Sequence, residues 1–373
     1  MRIEGKAPFT IDHMGNSFIS TNLLDGAVPA VHEVSQEALQ LSSLTQDQSL
    51  SLVDRIESYE DIINLEIGDT SITRARNLER EYGLRQIFLK FEGNNPTGTQ
   101  KDRIAFSQCH DALRRGFDTI ALASCGNYGA ALSLAAKLAG LHCVIYIPED
   151  YHTNRIYEMQ NYGALVKRYP GSYEASVEVS MKEAEKNEWY DANPGGRNTP
   201  LQLNSYAEIA YEIYDVLRDA PKMVAVPVSN GTLLAGIYRG FVSLHKRGKT
   251  SRIPLMIAAS SSHKNPIVFS FNKQLESCVD LVPEKIRETR INEPLINWHS
   301  FDGDEALYAI RQSGGQAFDI SDEKMIRLSK QLKEKEGLHV LPAATAGLAG
   351  LLEYNSSRML DPDRYVAILT GKK

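Results

Sequence analysis

From residue 85 onward, short runs of β-branched and other apolar residues alternate with stretches whose apolar positions recur every three or four residues. The short runs are IFLKFE (87–92), IALAS (120–124), CVIYIP (143–148), MVAVPV (223–228), LMIAAS (255–260) and YVAILT (365–370). They predict strands. Between them, YAEIAYEIYDVL repeats apolar groups at Tyr206, Ile209, Ala210, Ile213 and Leu217, the stripe of an amphipathic helix. SDEKMIRLSKQLKEKEG predicts another, with Ser321 as N-cap, Asp322 and Glu323 where the helix dipole favours anions, and Gly337 as the stop. Such alternation predicts an α/β protein with mostly parallel sheets, in which ligands gather beyond the carboxyl ends of the strands. Residues 35–60 are polar and rich in Ser and Gln with a weak helical period, and predict a peripheral segment that wraps the main body.

Composition narrows the function classes. The 373 residues are 42% hydrophobic and 24% charged, which is ordinary for a globular chain of about two domains. A net charge of -6 gives no electrostatic footprint for nucleic acid or an anionic membrane. The longest apolar stretch, GAALSLAAKLAGLHCVIYIP, is interrupted by Lys137 and His142 and falls short of a membrane span. The first residues lack the charged head and apolar run of a secretory signal, so a cytoplasmic location is expected. Four cysteines (109, 125, 143 and 278) form no CxxC pair, and nine histidines form no HExxH, so neither a disulfide frame nor a metal site is expected.

Three strand exits carry candidate chemistry. After IALAS the chain turns through Cys125, Gly126 and Asn127 into an alanine-rich helix, which presents backbone N–H groups and a side-chain amide together. Glycine at a simple strand-to-helix turn reads the same way. After MVAVPV, Ser229, Asn230, Gly231 and Thr232 precede a helix beginning near Leu233, and small residues there let several amides approach one phosphate. The last strand delivers Thr370 and Gly371. A fourth element is Lys101, between the turn residues NNPTGTQ and a helix start. An exposed lysine only solvates a surface. Buried at a helix start, its ammonium is disfavoured by desolvation and by the helix dipole, and the neutral amine can attack an aldehyde.

In this order, the lysine, asparagine loop, phosphate turn and terminal hydroxyl resemble the fold-type II pyridoxal-phosphate enzymes, the tryptophan synthase β-like family, and within them the threonine synthases. The likeness runs over roughly residues 62–373 and includes FLKFEGNNPTGTQKDR, SCGNYGAA, VPVSNGTLLAGIYRGF, SGGQAFDISDEKM, EGLHVLPAATAGLAGLLEY and LDPDRYVAILTG. It implies a two-domain α/β fold, with a large cofactor-binding domain (61–105 and 206–373) and a small mobile domain (106–205), beside the peripheral segment (1–60) read from composition. It implies pyridoxal 5'-phosphate held as an internal aldimine on Lys101, which later moves protons. Asn127 would bond the cofactor's 3'-oxygen, Ser229, Asn230, Gly231, Thr232 and Leu233 would cradle its phosphate, and Thr370 would face its pyridine nitrogen. Thr99, Ser124, Cys125, Gly126, Tyr128 and Arg197 would meet the amino-acid substrate. The implied activity is elimination or replacement at Cβ or Cγ, in amino-acid biosynthesis, by a homodimer.

The sequence departs from the family pattern in places. Thr99 and Gln100 replace the usual serine and phenylalanine before the lysine, and Leu341 replaces a glutamate. In WYDANPGGRNTPLQLNSY, Tyr190 and Asp191 stand where uncharged ligands for a substrate phosphate are expected, and Arg197 is displaced by one residue. A carboxylate repels a phosphate dianion, so a substrate other than O-phosphohomoserine, or a phosphate held differently, is expected. A Ser/Thr ammonia-lyase and a cysteine synthase-like β-replacement enzyme remain open, as does a non-catalytic ligand sensor. A P-loop reading of GNNPTGTQK is weak, because Asp102 stands where Ser or Thr should bind magnesium.

Overall fold

The apolar runs sort into two sheets of a computed structural model, which describes residues 34–124, 126–151, 153 and 155–373. The described residues belong to one compact unit, 32–373. Cys125 and the first part of the 1–60 segment lie outside them. The strands are β1 (Ile72–Arg74), β2 (Ile87–Phe91), β3 (Thr119–Ala123), β4 (His142–Pro148), β5 (Leu165–Tyr169), β6 (Tyr190–Asp191), β7 (Met223–Pro227), β8 (Leu255–Ser261), β9 (Gln316–Ile320) and β10 (Tyr365–Leu369). One sheet has the order β1-β2-β10-β7-β8-β9 and the other β5-β4-β3-β6. Every pairing is parallel except β1 with β2. Parallel strands need crossover connections, and the helices supply them while covering both faces.

The helices are α1 (Gln36–Gln46), α2 (Leu52–Glu66), α3 (Arg76–Tyr82), α4 (Lys101–Arg114), α5 (Asn127–Ala139), α6 (Arg155–Asn161), α7 (Tyr173–Lys186), α8 (Thr199–Leu217), α9 (Thr232–Lys246), α10 (Pro266–Asn272), α11 (Gly303–Gln312), α12 (Asp322–Glu336) and α13 (Ala346–Arg358). Their ends follow local chemistry. Ser321 caps α12 by accepting from the Lys324 N–H at 3.3 Å, and Gly337 closes it in the left-handed region at φ 71°. The stripe read along residues 206–217 belongs to α8, with Tyr206, Ile209, Ala210 and Ile213 buried. That face packs on α9, where two glycines bring the backbones together. A Cβ on Gly236 would stand 2.7 Å from the Leu203 carbonyl oxygen, and one on Gly240 2.6 Å from that of Ala207. This close contact sets the N-termini of α8 and α9 side by side.

Helices α1 and α2 lie against α4 and α5: Ala38, Tyr59 and Ile62 are fully buried, and the Tyr59 hydroxyl donates to the Ala135 carbonyl at 3.0 Å. One apolar cluster joins these helices to the four-stranded sheet and one face of the larger sheet. A second, built on α12, α13 and the strands beside them, fills the other face. Among the described residues no helix is long and apolar enough to cross a membrane.

Candidate active site

The loop before α4 is shaped by bonds that fix where Lys101 begins. The Gln100 N–H donates to the Thr370 carbonyl at 3.0 Å, the Lys372 N–H donates to the Gly98 carbonyl at 2.9 Å, and Thr99 bridges to Gly371. The end of β10 therefore carries Thr370 to the lysine loop. Thr99 is buried, and its hydroxyl oxygen accepts from the Lys101 N–H at 3.2 Å. Asp102 closes the loop from inside, accepting from the N–H (3.0 Å) and the hydroxyl (2.8 Å) of Thr97. Burial pushes the Asp102 carboxyl up to about 7 against those bonds.

Behind α4 lies a buried ionic network. Arg103 reaches Glu92 at 2.6 Å and Glu212 at 2.7 Å, Lys90 pairs with Glu212, and the Thr70 hydroxyl donates to Glu92 at 2.7 Å. Lys90 and Glu92 are fully buried. These contacts tie β2, α4 and α8 together and hold the first turn of α4 in place.

The Lys101 amine itself takes no hydrogen bond or ion pair among the described residues; it lies 5.2 Å from the centre of the Tyr128 ring. Burial pulls its pKa down to about 8, and the nearby Asp302 carboxylate opposes that shift. A substantial fraction is therefore neutral near pH 8, the state that attacks a carbonyl.

The turn after β7 is pinned by its carbonyls. Ser229 O accepts from the Asn265 amide at 3.0 Å and the Ser300 hydroxyl at 3.1 Å, and Asn230 O accepts from the Asp302 N–H at 3.0 Å. Gly231 sits at φ 97°, where only glycine is unstrained. None of the N–H groups from Ser229 to Leu233 donates to an acceptor among the described residues, and no side chain caps α9. Leu233 is buried in the core, so its backbone alone is available to a ligand. Several unpaired amides at the positive end of a 15-residue helix can receive an anion.

At the exit of β3, the Ser124 hydroxyl oxygen accepts from the N–H groups of Gly126 (3.4 Å) and Gly129 (2.9 Å), folding the turn over the start of α5. Asn127 opens α5, and its side-chain oxygen accepts from Arg155 at 3.2 Å, leaving its amide nitrogen with no acceptor among the described residues. Tyr128 is anchored by its hydroxyl, which donates to the Ala192 carbonyl at 3.0 Å.

Lys101 and Tyr128 thus meet directly, Thr99 and Thr370 adjoin the lysine, and Asp302 connects Lys101 electrostatically to Thr232. Arg197 is not brought to this group: its side chain is 90% exposed and pairs with Glu185 at 3.3 Å. Tyr190 also points elsewhere, donating to Asp111 at 3.0 Å. Asp191 accepts from the Asn193 N–H (3.0 Å) and amide (2.7 Å), and so holds the NPGG turn. Two charged residues absent from the sequence reading adjoin the site, Arg155 and Asp302. Arg155 bonds Asn127, the Thr97 carbonyl and Glu158 at once. Only tertiary structure brings either one in, although the acidic DGDE preceding an apolar run marks Asp302 as a helix start.

Pyridoxal phosphate fits these groups: a buried amine for its aldehyde, unpaired amides for its phosphate, and a Thr370 hydroxyl without a partner among the described residues for its ring nitrogen. Comparison with known proteins agrees. A family model described as pyridoxal-phosphate dependent enzyme matches residues 63–371. The threonine synthase of Methanocaldococcus jannaschii is 31% identical over 85% of this chain and 77% of its own length, and that of Methanosarcina acetivorans is 27% identical over 93% and 85%. Among solved structures, a pyridoxal 5'-phosphate-dependent aspartate racemase superimposes with a TM-score of 0.70 at 19% identity, covering 86% of this chain and 95% of that one. A serine racemase from maize gives 0.69 at 20% identity, covering 86% and 94%. At these identities the structural likenesses speak for the fold alone.

Proposed function

This chain belongs to the pyridoxal-phosphate dependent enzyme family, in its threonine synthase-like group, and we propose that it eliminates or replaces a Cβ or Cγ substituent of an amino acid that carries no phosphate. The observation that carries the reading is the Lys101 amine, buried, unpaired among the described residues and shifted toward neutrality beside an anion-receptive turn.

Lys101 attaches the cofactor through its ε-nitrogen. The amides of 229–233 hold the phosphate, Asn127 donates to the 3'-oxygen, and Thr370 faces the ring nitrogen. Bound pyridoxal phosphate supplies an electron sink for the pair left at Cα. A hydroxyl partner does not force protonation of the ring nitrogen as a carboxylate would, which suits elimination and replacement. With the cofactor bound, the freed Lys101 ε-nitrogen would take the Cα proton and return it later in the cycle. Ser124, Cys125, Gly126 and Tyr128, with Thr99, receive the substrate carboxylate. Residues 106–205, which include the four-stranded sheet, close on the body formed by 61–105 and 206–373, excluding water. We place the enzyme in the cytoplasm as a homodimer.

The absence of a phosphate from the substrate is supported by the 190–197 stretch. Tyr190 and Asp191 are engaged with Asp111 and Asn193, and Arg197 faces solvent. No residue of that stretch offers a phosphate a free donor side chain facing the lysine.

Borohydride reduction of the yellow holoenzyme, digestion and mass spectrometry test the attachment: the reduced cofactor is expected on the Lys101 peptide and absent from Lys101→Ala. Cofactor present with that peptide unmodified would sink it. A spectral screen of amino acids then identifies the substrate, and product analysis separates a ketoacid from a new amino acid. Release of phosphate from O-phosphohomoserine at ordinary turnover overturns the unphosphorylated substrate.

A further inference from the structure

Asp302 occupies the N-cap position of α11, yet its side chain makes no cap bond to that helix. It points into the phosphate turn instead. One oxygen accepts from the Thr232 hydroxyl at 2.5 Å, and the other faces the Thr199 hydroxyl at 3.5 Å. Residue 302 is also welded to that turn by its backbone. Its N–H donates to Asn230 O, and its carbonyl oxygen stands 2.7 Å from where a Cβ on Gly231 would be. The side chain therefore lies at the mouth of both α8 and α9, with 4% of the residue exposed.

A phosphate held on this turn would also meet the Thr232 hydroxyl, whose single proton is given to Asp302. A carboxylate at that distance also repels the incoming dianion. Asp302 has a second place prepared. An N-cap aspartate accepts from the second or third amide of its helix, and the N–H groups of Asp304 and Glu305 have no acceptor among the described residues.

We infer that Asp302 is a two-position anionic latch on the cofactor's phosphate turn: seated on Thr232 while the turn lacks phosphate, swung onto the Asp304 and Glu305 amides when phosphate enters. The inference rests on the proposed docking of the phosphate at 229–233. Burial raises the Asp302 carboxyl's pKa despite the Thr232 bond, so the seated anion is held at a cost that release removes. The latch makes cofactor affinity lower than the amide cradle alone would give, and lets inorganic phosphate compete only weakly.

Asp302→Asn and Asp302→Ser both keep a capping side chain and remove the charge. Equilibrium dialysis against pyridoxal 5'-phosphate, pyridoxal and inorganic phosphate reads the effect. In both variants the ratio of pyridoxal phosphate to pyridoxal affinity is expected to rise about tenfold, the size of a 1.4 kcal/mol repulsion relieved. Inorganic phosphate tightens in parallel. An unchanged ratio overturns the latch, as does a gain confined to Asp302→Asn, which assigns the effect to its new amide donor. Should either variant fail to fold, a crystal structure of the wild-type holoenzyme decides: Asp302 on the Asp304 and Glu305 amides supports the latch, and Asp302 still on Thr232 overturns it. Attachment at Lys101, read separately by borohydride, tells failure of the latch from failure of the cofactor placement.

Discussion

Lys101 Nζ rests 5.2 Å from the centre of the Tyr128 ring, and Tyr128 is in turn fixed to the Ala192 carbonyl. The Asp302 carboxylate and the ring's negative face favour the ammonium, while burial favours the amine; burial prevails, and the pKa falls to about 8. The neutral form attacks the cofactor aldehyde, so the rate of cofactor capture should rise with pH and level off above about 8. Tyr128→Leu removes the π face and should move that rise to lower pH. Stopped-flow absorbance of the apoenzyme mixed with pyridoxal phosphate across pH measures both; a pH-independent rate contradicts the assignment.

Arg103 bridges Glu92 and Glu212 at the back of the lysine helix with only 5% of its surface exposed. Removing one partner of a buried pair leaves the others uncompensated, at a cost of about 3–5 kcal/mol. Arg103→Met should therefore lower stability by that amount in denaturant unfolding. A change under about 1 kcal/mol would mean that water already screens the network.

Gly231→Ala puts a methyl at φ 97° and 2.7 Å from the Asp302 carbonyl oxygen. The left-handed conformation alone costs about 1–2 kcal/mol, and relieving the clash shifts the turn whose amides are proposed to receive the phosphate. The variant should keep its circular dichroism yet lose cofactor on dialysis. Full retention would show that this turn does not carry the phosphate.

Asp102 is a buried acid raised to about 7 from 3.8. The folded chain then binds its proton more tightly than the unfolded chain, so this group's contribution is fully present below pH 3.8 and is lost as pH rises through 7. Asp102→Asn should abolish that loss, and its stability relative to wild type should increase from pH 4 to pH 8. Urea melts at several pH values test the sign.

The six strands legible in the sequence are the inner ones of both sheets: β2, β10, β7 and β8 in one, β3 and β4 in the other. Buried on both faces, they read as continuous apolar runs. The four that escaped, β1, β5, β6 and β9, are all edges. β5 is LVKRY, with its first and last two residues exposed, and β6 has only two residues; neither leaves a periodic mark. The site divides the same way. Lys101, Asn127 and the 229–233 turn follow strand exits and are local features, whereas Asp302 and Arg155 reach the site by packing, which no local pattern encodes. Arg197 could be aligned by motif, but its side chain faces solvent and pairs with Glu185, which the motif does not encode.

Strand β10 lies between β2 and β7, which pair with it and not with each other. Halves of the large sheet made early in synthesis must wait for this late segment to slot between them, a long-range closure of the slow kind. Until it does, Thr99 and Gln100 lack the backbone partners that order them, and the lysine that follows is a solvated cation like any other. Its reactivity therefore depends on β10 having taken its place, so a chain whose last strand is not yet seated offers the vitamin no shifted amine.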